Sequence, residues 1–383
     1  MISVKSRQLD AVEVSWFAPI CNGDDRFLGA HNPLYKSSWN NASQIALTAD
    51  RLGFRNMLLP SSYQVGQDTL TFAAALAPQL KRMNLLTAIR CGEVHPPMLA
   101  RALATLDHIL QGHLTINIIS SNLPGEQLES AARYQRSREV IEILKQCWTQ
   151  EEINFQGDFY SLLGLGTAPV KSYQQNGGPL LYFGGYSPPG VELCAEHCDV
   201  YLMWPETYGR ITELMGNMAT AAAKYDRQVD FGLRVHVIVR ETESEARQAA
   251  RELMSVVNAK KGEDIRNRAL DAKSYGVARQ AEMRDHSDNE GYVEDHLWTG
   301  IGQARSGCGA AIVGNPDQVR DKLKSYIDLG IRSFILSGYP HREECELFAR
   351  YVLPELKTCS LPHELGRVPA GLPASPLAMG IRE

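Results

Sequence analysis

Several protein classes are excluded by what this chain lacks. No stretch reaches the roughly 18 consecutive apolar residues of a membrane-spanning helix, and the opening MISVKSRQLD carries no apolar core of a secretory leader. The expected location is therefore the cytoplasm, away from membranes. Eight cysteines are scattered with no CxxC pair, which argues against a disulfide scaffold and for reduced thiols. Cys194, His197 and Cys198 lie close together, but no second ligand pair follows at zinc spacing. They read as packed helix residues, and no metal is expected. A net charge of −5 offers no basic excess for nucleic acid. No GxGxxG follows the first strand pattern, where an open dinucleotide-binding sheet would place it.

What is present is an ordinary globular mixture, 44% apolar and 22% charged over 383 residues, arranged in regular alternation. Runs with strand character fall at 12–18, 56–60, 84–90, 114–119, 180–184, 199–204, 231–239 and 332–337. Helical patterns separate them, at 39–52, 66–78, 97–111, 130–148, 207–225, 242–257, 315–329 and 342–356. Eight strands each followed by a helix predict an α/β protein, a (β/α)8 TIM barrel, over 1–359 as a single domain. Two insertions interrupt it: an apparent hairpin within 150–179, and a highly charged segment, 258–297, that would land on the catalytic rim as a mobile lid. The tail 360–383, with four prolines, is expected to be extended or to contact a neighbouring subunit.

In a barrel the strand C-terminal ends face the active site. The strand FGLRVHVIVRET places Leu233, Val235, Val237 and Val239 on one face and Arg234, His236 and Ile238 on the other. A buried arginine is costly without an anion, so the pair points to an anionic ligand, with a structural acid–arginine pair as the alternative. Trp204 and Tyr339 lie at other strand ends and would cover a planar ligand, although each also reads as core or a strand stop. The run YFGGYSPPG is a strand, a glycine-rich turn and a helix start, a place suited to phosphate.

Together FGLRVHVIVRET, LWTGIGQARSGCGAAIVG, GIRSFILSGYPH and LLYFGG resemble the two-component alkanesulfonate monooxygenases, members of the bacterial luciferase-like group of flavin-dependent barrels. The resemblance runs from about residue 13 to about 357. It implies reduced FMN delivered by a separate NAD(P)H-dependent flavin reductase, O2 as co-substrate, and scission of a C–S bond in an organosulfonate, giving sulfite and an aldehyde. Carried over residue by residue, it implies Arg234, His236, Arg305 and Tyr339 as catalytic residues. Tyr134 with the Gly185–Tyr186–Ser187 turn would bind the flavin phosphate, and Asn117 and Ser120 would lie under its ring. It also implies a homodimer or homotetramer.

The chain departs from the family pattern at the rim. The family run PTHGDG is PICNGDD here, with Cys21 at the histidine position; His31 stands where a glutamate is usual; Val65 or Gly66 replaces a cysteine; and Leu123 replaces the aspartate of TGSDP. These changes leave the anion and flavin residues in place and alter the substrate pocket, which Trp204, Cys21, His31 and His341 are expected to line. A bulkier or more polar sulfonate, such as a sulfosugar, is expected. The competing readings are a reduced-FMN monooxygenase of a sulfone, aldehyde or other non-sulfonate, a deazaflavin-dependent enzyme, and a non-catalytic flavin-binding barrel.

Overall fold

The computed structural model describes the chain except for Met1, Asn22, His31, 63–65, 168–170, 259, 261, 263–274, Ser306 and 374–383. The strands are β1 Glu13–Phe17, β2 Asn56–Leu59, β3 Asn84–Arg90, β4 Leu114–Ile119, β5 Glu152–Gln156, β6 Ser161–Gly166, β7 Leu180–Phe183, β8 Val200–Met203, β9 Asp230–Val239, β10 Tyr292–Glu294, β11 Leu297–Trp298, β12 Ala311–Gly314 and β13 Ile331–Ser337. Eight of them run parallel in the order β1, β2, β3, β4, β7, β8, β9, β13, and β13 pairs back with β1 to close a barrel. They are the eight strands expected from sequence, within two residues at each end.

Two departures from the expected plan are located around β9. Only its lower half pairs with β8, through Val200↔Asp230 to Met203↔Leu233. Above that point β12 takes the place of β8, with Ala311↔His236 to Gly314↔Val239. The antiparallel strands β10 and β11 extend this flap. The alternation of β9 thus changes neighbours between Leu233 and His236, at the level of the proposed site. The insertion before β7 is the hairpin β5–β6. Its turn is fastened by the buried Glu139 carboxylate, which accepts the Asp158, Phe159 and Tyr160 amides at 2.8, 2.9 and 3.1 Å.

Inward-facing side chains fill the barrel, among them Phe17, Leu58, Leu86, Leu180, Val200, Leu202 and Ile335. Outward-facing ones such as Leu85, Leu233, Val235 and Val237 pack on the surrounding helices. At the N-terminal floor the buried Glu13 carboxylate accepts from Asn56, Asn84 and Tyr182 at 3.1, 3.0 and 2.6 Å. The tail after residue 359, expected to be extended or to contact a neighbouring subunit, starts as a helical turn, Leu361–Glu364, on that floor. Leu361 is fully buried, and its amide reaches Glu13 at 3.4 Å. Beyond it, Arg367 Nη2 pairs with Asp199 at 3.0 Å. The physical reason is that the barrel floor needs a cap: Glu13 is desolvated, so burial raises its pKa, and the tail supplies both apolar cover and a donor.

Helix starts follow their caps. Asn315 before Pro316 forms the expected start, with a full capping box to Gln318 (2.9 Å in both directions). Within the charged insertion, Tyr275–Asp285 is helical. No described helix is long and apolar enough to cross a membrane.

Candidate active site

The mouth of the barrel, at the strand C-termini, gathers the expected polar residues from distant parts of the chain. Arg234 and His236 stand two apart on β9 and face inward, as the alternation required. Arg234 is 8% exposed, and among the described residues its Nη1 donates to two backbone carbonyls, Val235 at 3.2 Å and Ile335 at 3.3 Å. It lies 4.8 Å from the centroid of the Phe17 ring. Among the described residues no carboxylate pairs with it; burial lowers its pKa, and Arg305 lowers it further. Among the described residues the structural acid–arginine alternative is therefore not what the fold builds.

His236 is buried, and its Nδ1 lies 2.6 Å from the Ser337 hydroxyl on β13. Burial first, then Arg234 and Arg305, push its pKa well below the usual value, against a backbone hydrogen bond to Cys308. His236 is thus a neutral imidazole whose ring stacks on Tyr339, with centroids 5.4 Å apart. The guanidinium of Arg305 sits 5.5 Å from the Tyr339 centroid on the other part of the mouth. Burial raises the Tyr339 pKa while Arg305 and Arg234 oppose it, and the phenol oxygen has no hydrogen-bond partner among the described residues. His341 follows, buried, with its ring edge-on to Tyr339 at 4.8 Å. The four residues expected to be catalytic are thus assembled, and His341 joins them.

Trp204, at the β8 exit, forms the adjoining wall. Its amide donates to the Tyr186 hydroxyl at 2.5 Å, and the two rings lie 6.2 Å apart. The insertion helix Tyr275–Asp285 presses on this wall through Gly276, where a Cβ would come within 2.8 Å of the indole. Gln280 on the same helix donates to Pro205 O at 2.7 Å and accepts the Gly309 amide at 3.0 Å. It therefore ties the Trp204 strand end to the loop that carries Arg305.

The residues expected at a phosphate corner lie together. Ser187 donates to Tyr134 Oη at 3.1 Å and makes no capping bond to its own helix, Pro188–His197. Pro188 and Pro189 have no N–H, so the donors here are the flanking amides and these two hydroxyls. Glycine is required beside them: a Cβ at Gly190 would meet Tyr134 Oη at 3.0 Å, and one at Gly185 would meet Phe183 at 2.8 Å. These hydroxyls and amides are donors of the kind a flavin phosphate takes. Tyr186 contributes only backbone to it, since its side chain serves Trp204.

Other expected residues sit further off. Asn117 faces inward on β4, half-exposed near the mouth. Ser120 turns its hydroxyl to Ser137, 2.6 Å away on the flanking helix, rather than towards the mouth. The Cys21 thiol donates to Pro60 O at 3.2 Å, and burial pushes its pKa up to about 12, so it is a neutral side chain against the β2 exit. His31 and Val65 lie outside the described residues. Three participants carried no sequence signal strong enough to single out: Phe17 under Arg234, Ser337 against His236, and Asp24, whose carboxylate is 2.6 Å from His341 Nδ1.

Comparison with known proteins shows the family. A model of the luciferase-like monooxygenase family matches residues 12–333. The chain belongs to that family. It is 55% identical over 382 residues to a sulfoquinovose monooxygenase of Agrobacterium fabrum, covering 100% of this chain and 99% of the relative. A sulfoquinovose monooxygenase of Novosphingobium aromaticivorans is 49% identical over 355 residues, 90% and 96% of the two chains. Among solved structures, riboflavin lyase with modified FMN and riboflavin superposes with a TM-score of 0.73 at 16% identity, over 97% and 96% of the chains. At that identity the likeness speaks for the barrel fold alone.

Proposed function

We propose that this monooxygenase uses reduced FMN, supplied by a separate NAD(P)H-dependent flavin reductase, and O2 to break the C–S bond of a sulfosugar, with sulfite and an aldehyde as products. The observation that carries the reading is the buried Arg234, which has no acidic partner among the described residues and stands beside Arg305 and neutral His236. A sulfonate supplies the missing negative charge and offers only acceptors, as two guanidinium groups require. The relatives named as sulfoquinovose monooxygenases select the sugar. Sulfoquinovose carries its sulfonate on C6 of glucose, so the aldehyde would form at C6.

Each part of the site then has a task. Tyr134, Ser187 and the turn amides hold the FMN phosphate, and the flavin when bound supplies the oxygen-activating redox chemistry. Arg234 and Arg305 orient the sulfonate and stabilise the charge that grows on departing sulfite. Phe17 supports the face of the Arg234 guanidinium, and Ser337 fixes the His236 ring. Trp204 and the insertion helix exclude water from the mouth. Of the insertion expected to act as a lid, 259, 261 and 263–274 lie outside the described residues; the helix Tyr275–Asp285 is the part that covers the mouth, held there by the Gln280 bridge.

The test is sulfite release with reductase, NADH, FMN and O2, using sulfoquinovose, short alkanesulfonates and aromatic sulfonates. The expected result is sulfite from sulfoquinovose, dependent on the reductase. Turnover of a non-sulfonate with no sulfite from any sulfonate would replace this reading with the alternative substrate class.

A further inference from the structure

Asp24, in the loop after β1, belongs to no expected catalytic set, yet it is among the most thoroughly engaged side chains at the mouth. Its carboxylate is buried and accepts the His341 backbone N–H on its two oxygens, at 3.0 and 2.9 Å. The same carboxylate lies 2.6 Å from His341 Nδ1 and accepts the Asp25 amide at 3.0 Å. An ionised carboxylate only accepts hydrogen bonds, so Nδ1 carries the hydrogen. In the neutral ring the lone pair is then on Nε2. That atom is buried without a partner among the described residues, as is the phenol oxygen of Tyr339 against which the ring stands.

A buried acceptor left unpaired is a group awaiting a ligand that donates. A sulfonate cannot be that donor, because its oxygens accept only, and Arg234 and Arg305 already meet its need. The donor must be an O–H on the reacting substrate.

We propose that Asp24 is a positioning residue that holds His341 with Nε2 free, and that His341 is the base in the bond-breaking step. The proposal rests on the sulfonate reading given above. Once oxygen has been delivered to the carbon, that carbon bears both a hydroxyl and the sulfonate. Nε2 takes the hydroxyl proton, the O–H electron pair closes the C=O double bond, and the C–S pair leaves with sulfur as sulfite. The step needs no further oxidant. The charged and titratable groups facing His341 suit it: Asp24 and Asp25 from the β1 loop balance the imidazolium that forms, while Arg234 and Arg305 face the departing dianion. His236 and Tyr339 complete the surround.

The experiment isolates that step from the flavin. The bisulfite adduct of 6-aldehydo-glucose, which is the hydroxysulfonate itself, is presented to the protein without flavin, and sulfite release is followed with a dye trap. Wild type should accelerate release over solution. Asp24→Asn and His341→Gln should each lower kcat about 100-fold with KM changed less than about twofold, and Asp24→Glu should restore part of the rate. The double variant should be no slower than His341→Gln alone, because Asp24 acts through His341. His341→Gln leaves the backbone contact to Asp24 in place and carries the test should Asp24→Asn not fold. Wild-type protein that leaves the adduct untouched while releasing sulfite in the flavin-coupled assay would overturn the proposal, as would single effects that multiply in the double variant. A failure of the sulfonate reading itself would show differently, as no sulfite from any sulfonate in the coupled assay.

Discussion

Ser337 Oγ and His236 Nδ1 meet at 2.6 Å, although 101 residues separate them in sequence. The contact crosses the β9–β13 pair, in which Ser337 is registered directly against His236. It holds the ring of a histidine that its surroundings keep neutral. Ser337→Ala leaves Nδ1 buried without this donor, a loss of about 1–3 kcal/mol of stability. Turnover should fall about tenfold, by loss of ring orientation. Thermal unfolding and sulfite release measured on the same preparation check both numbers.

Arg234 separates function from stability. Its burial without an acid partner means that removing it relieves a cost the folded protein carries. Arg234→Ala should therefore keep or raise the melting temperature while lowering kcat/KM for the sulfonate at least 100-fold. Arg234→Lys should not rescue activity, since an ammonium has neither the flat guanidinium face that lies against Phe17 nor the planar fork that pairs bidentately with a sulfonate. A melting temperature that drops sharply in Arg234→Ala would show a structural arginine instead.

The insertion helix is held to the site by Gln280 and by the close approach of Gly276 to Trp204. Gln280→Leu removes both hydrogen bonds with little change in size. The expected outcome is a KM for the sulfonate raised about tenfold with kcat changed much less, because the Arg305 loop loses its anchor. Steady-state kinetics at saturating FMN distinguish the two parameters.

The phosphate corner predicts a flavin-binding defect that does not depend on the substrate. Ser187→Ala removes a hydroxyl that now bonds Tyr134, and Gly190→Ala places a methyl 3.0 Å from the Tyr134 oxygen. Each should weaken FMN binding about tenfold. Fluorescence quenching on titration of FMN, with sulfonate absent, is the direct measurement.

At the barrel floor, His113 Nδ1 is 2.7 Å from Asn84 Oδ1, and its ring lies 5.1 Å from that of His363 on the capping turn. Burial first, then His363, lowers the His113 pKa to about 4. An unfolded histidine takes its proton near pH 6.5. The stabilisation is therefore present above about pH 6.5 and is lost as pH falls towards about 4. Wild type should lose melting temperature over that interval more steeply than His113→Gln. Parallel curves for the two proteins would show that the floor does not sense pH through this ring.

The barrel strands were legible because each is a short apolar run bounded by a helical pattern, so two periodicities marked the eight units. β12 was not, since AIVG becomes a strand only where β9 outruns β8 by six residues, the last four of which it pairs. The Arg234–His236 pair stood out because charge within an apolar alternation is physically expensive and local to one segment. Asp24 and Ser337 gave no such signal, being common polar residues in or beside loops. Their meaning came entirely from what the closed barrel sets against them.

By itself the sequence determined the alternation, the strand faces and hence which side chains point into the barrel, for these follow from periods of two and 3.6 along the chain. It also carried, in long motifs, the likeness to sulfonate-cleaving flavin enzymes. Tertiary structure alone decided that Arg234 has no acidic partner among the described residues, that His236 is kept neutral, and that Asp24 reaches His341 across 317 residues. Burial, protonation and pairing depend on distances through space, and those exist only once β13 has closed against β1.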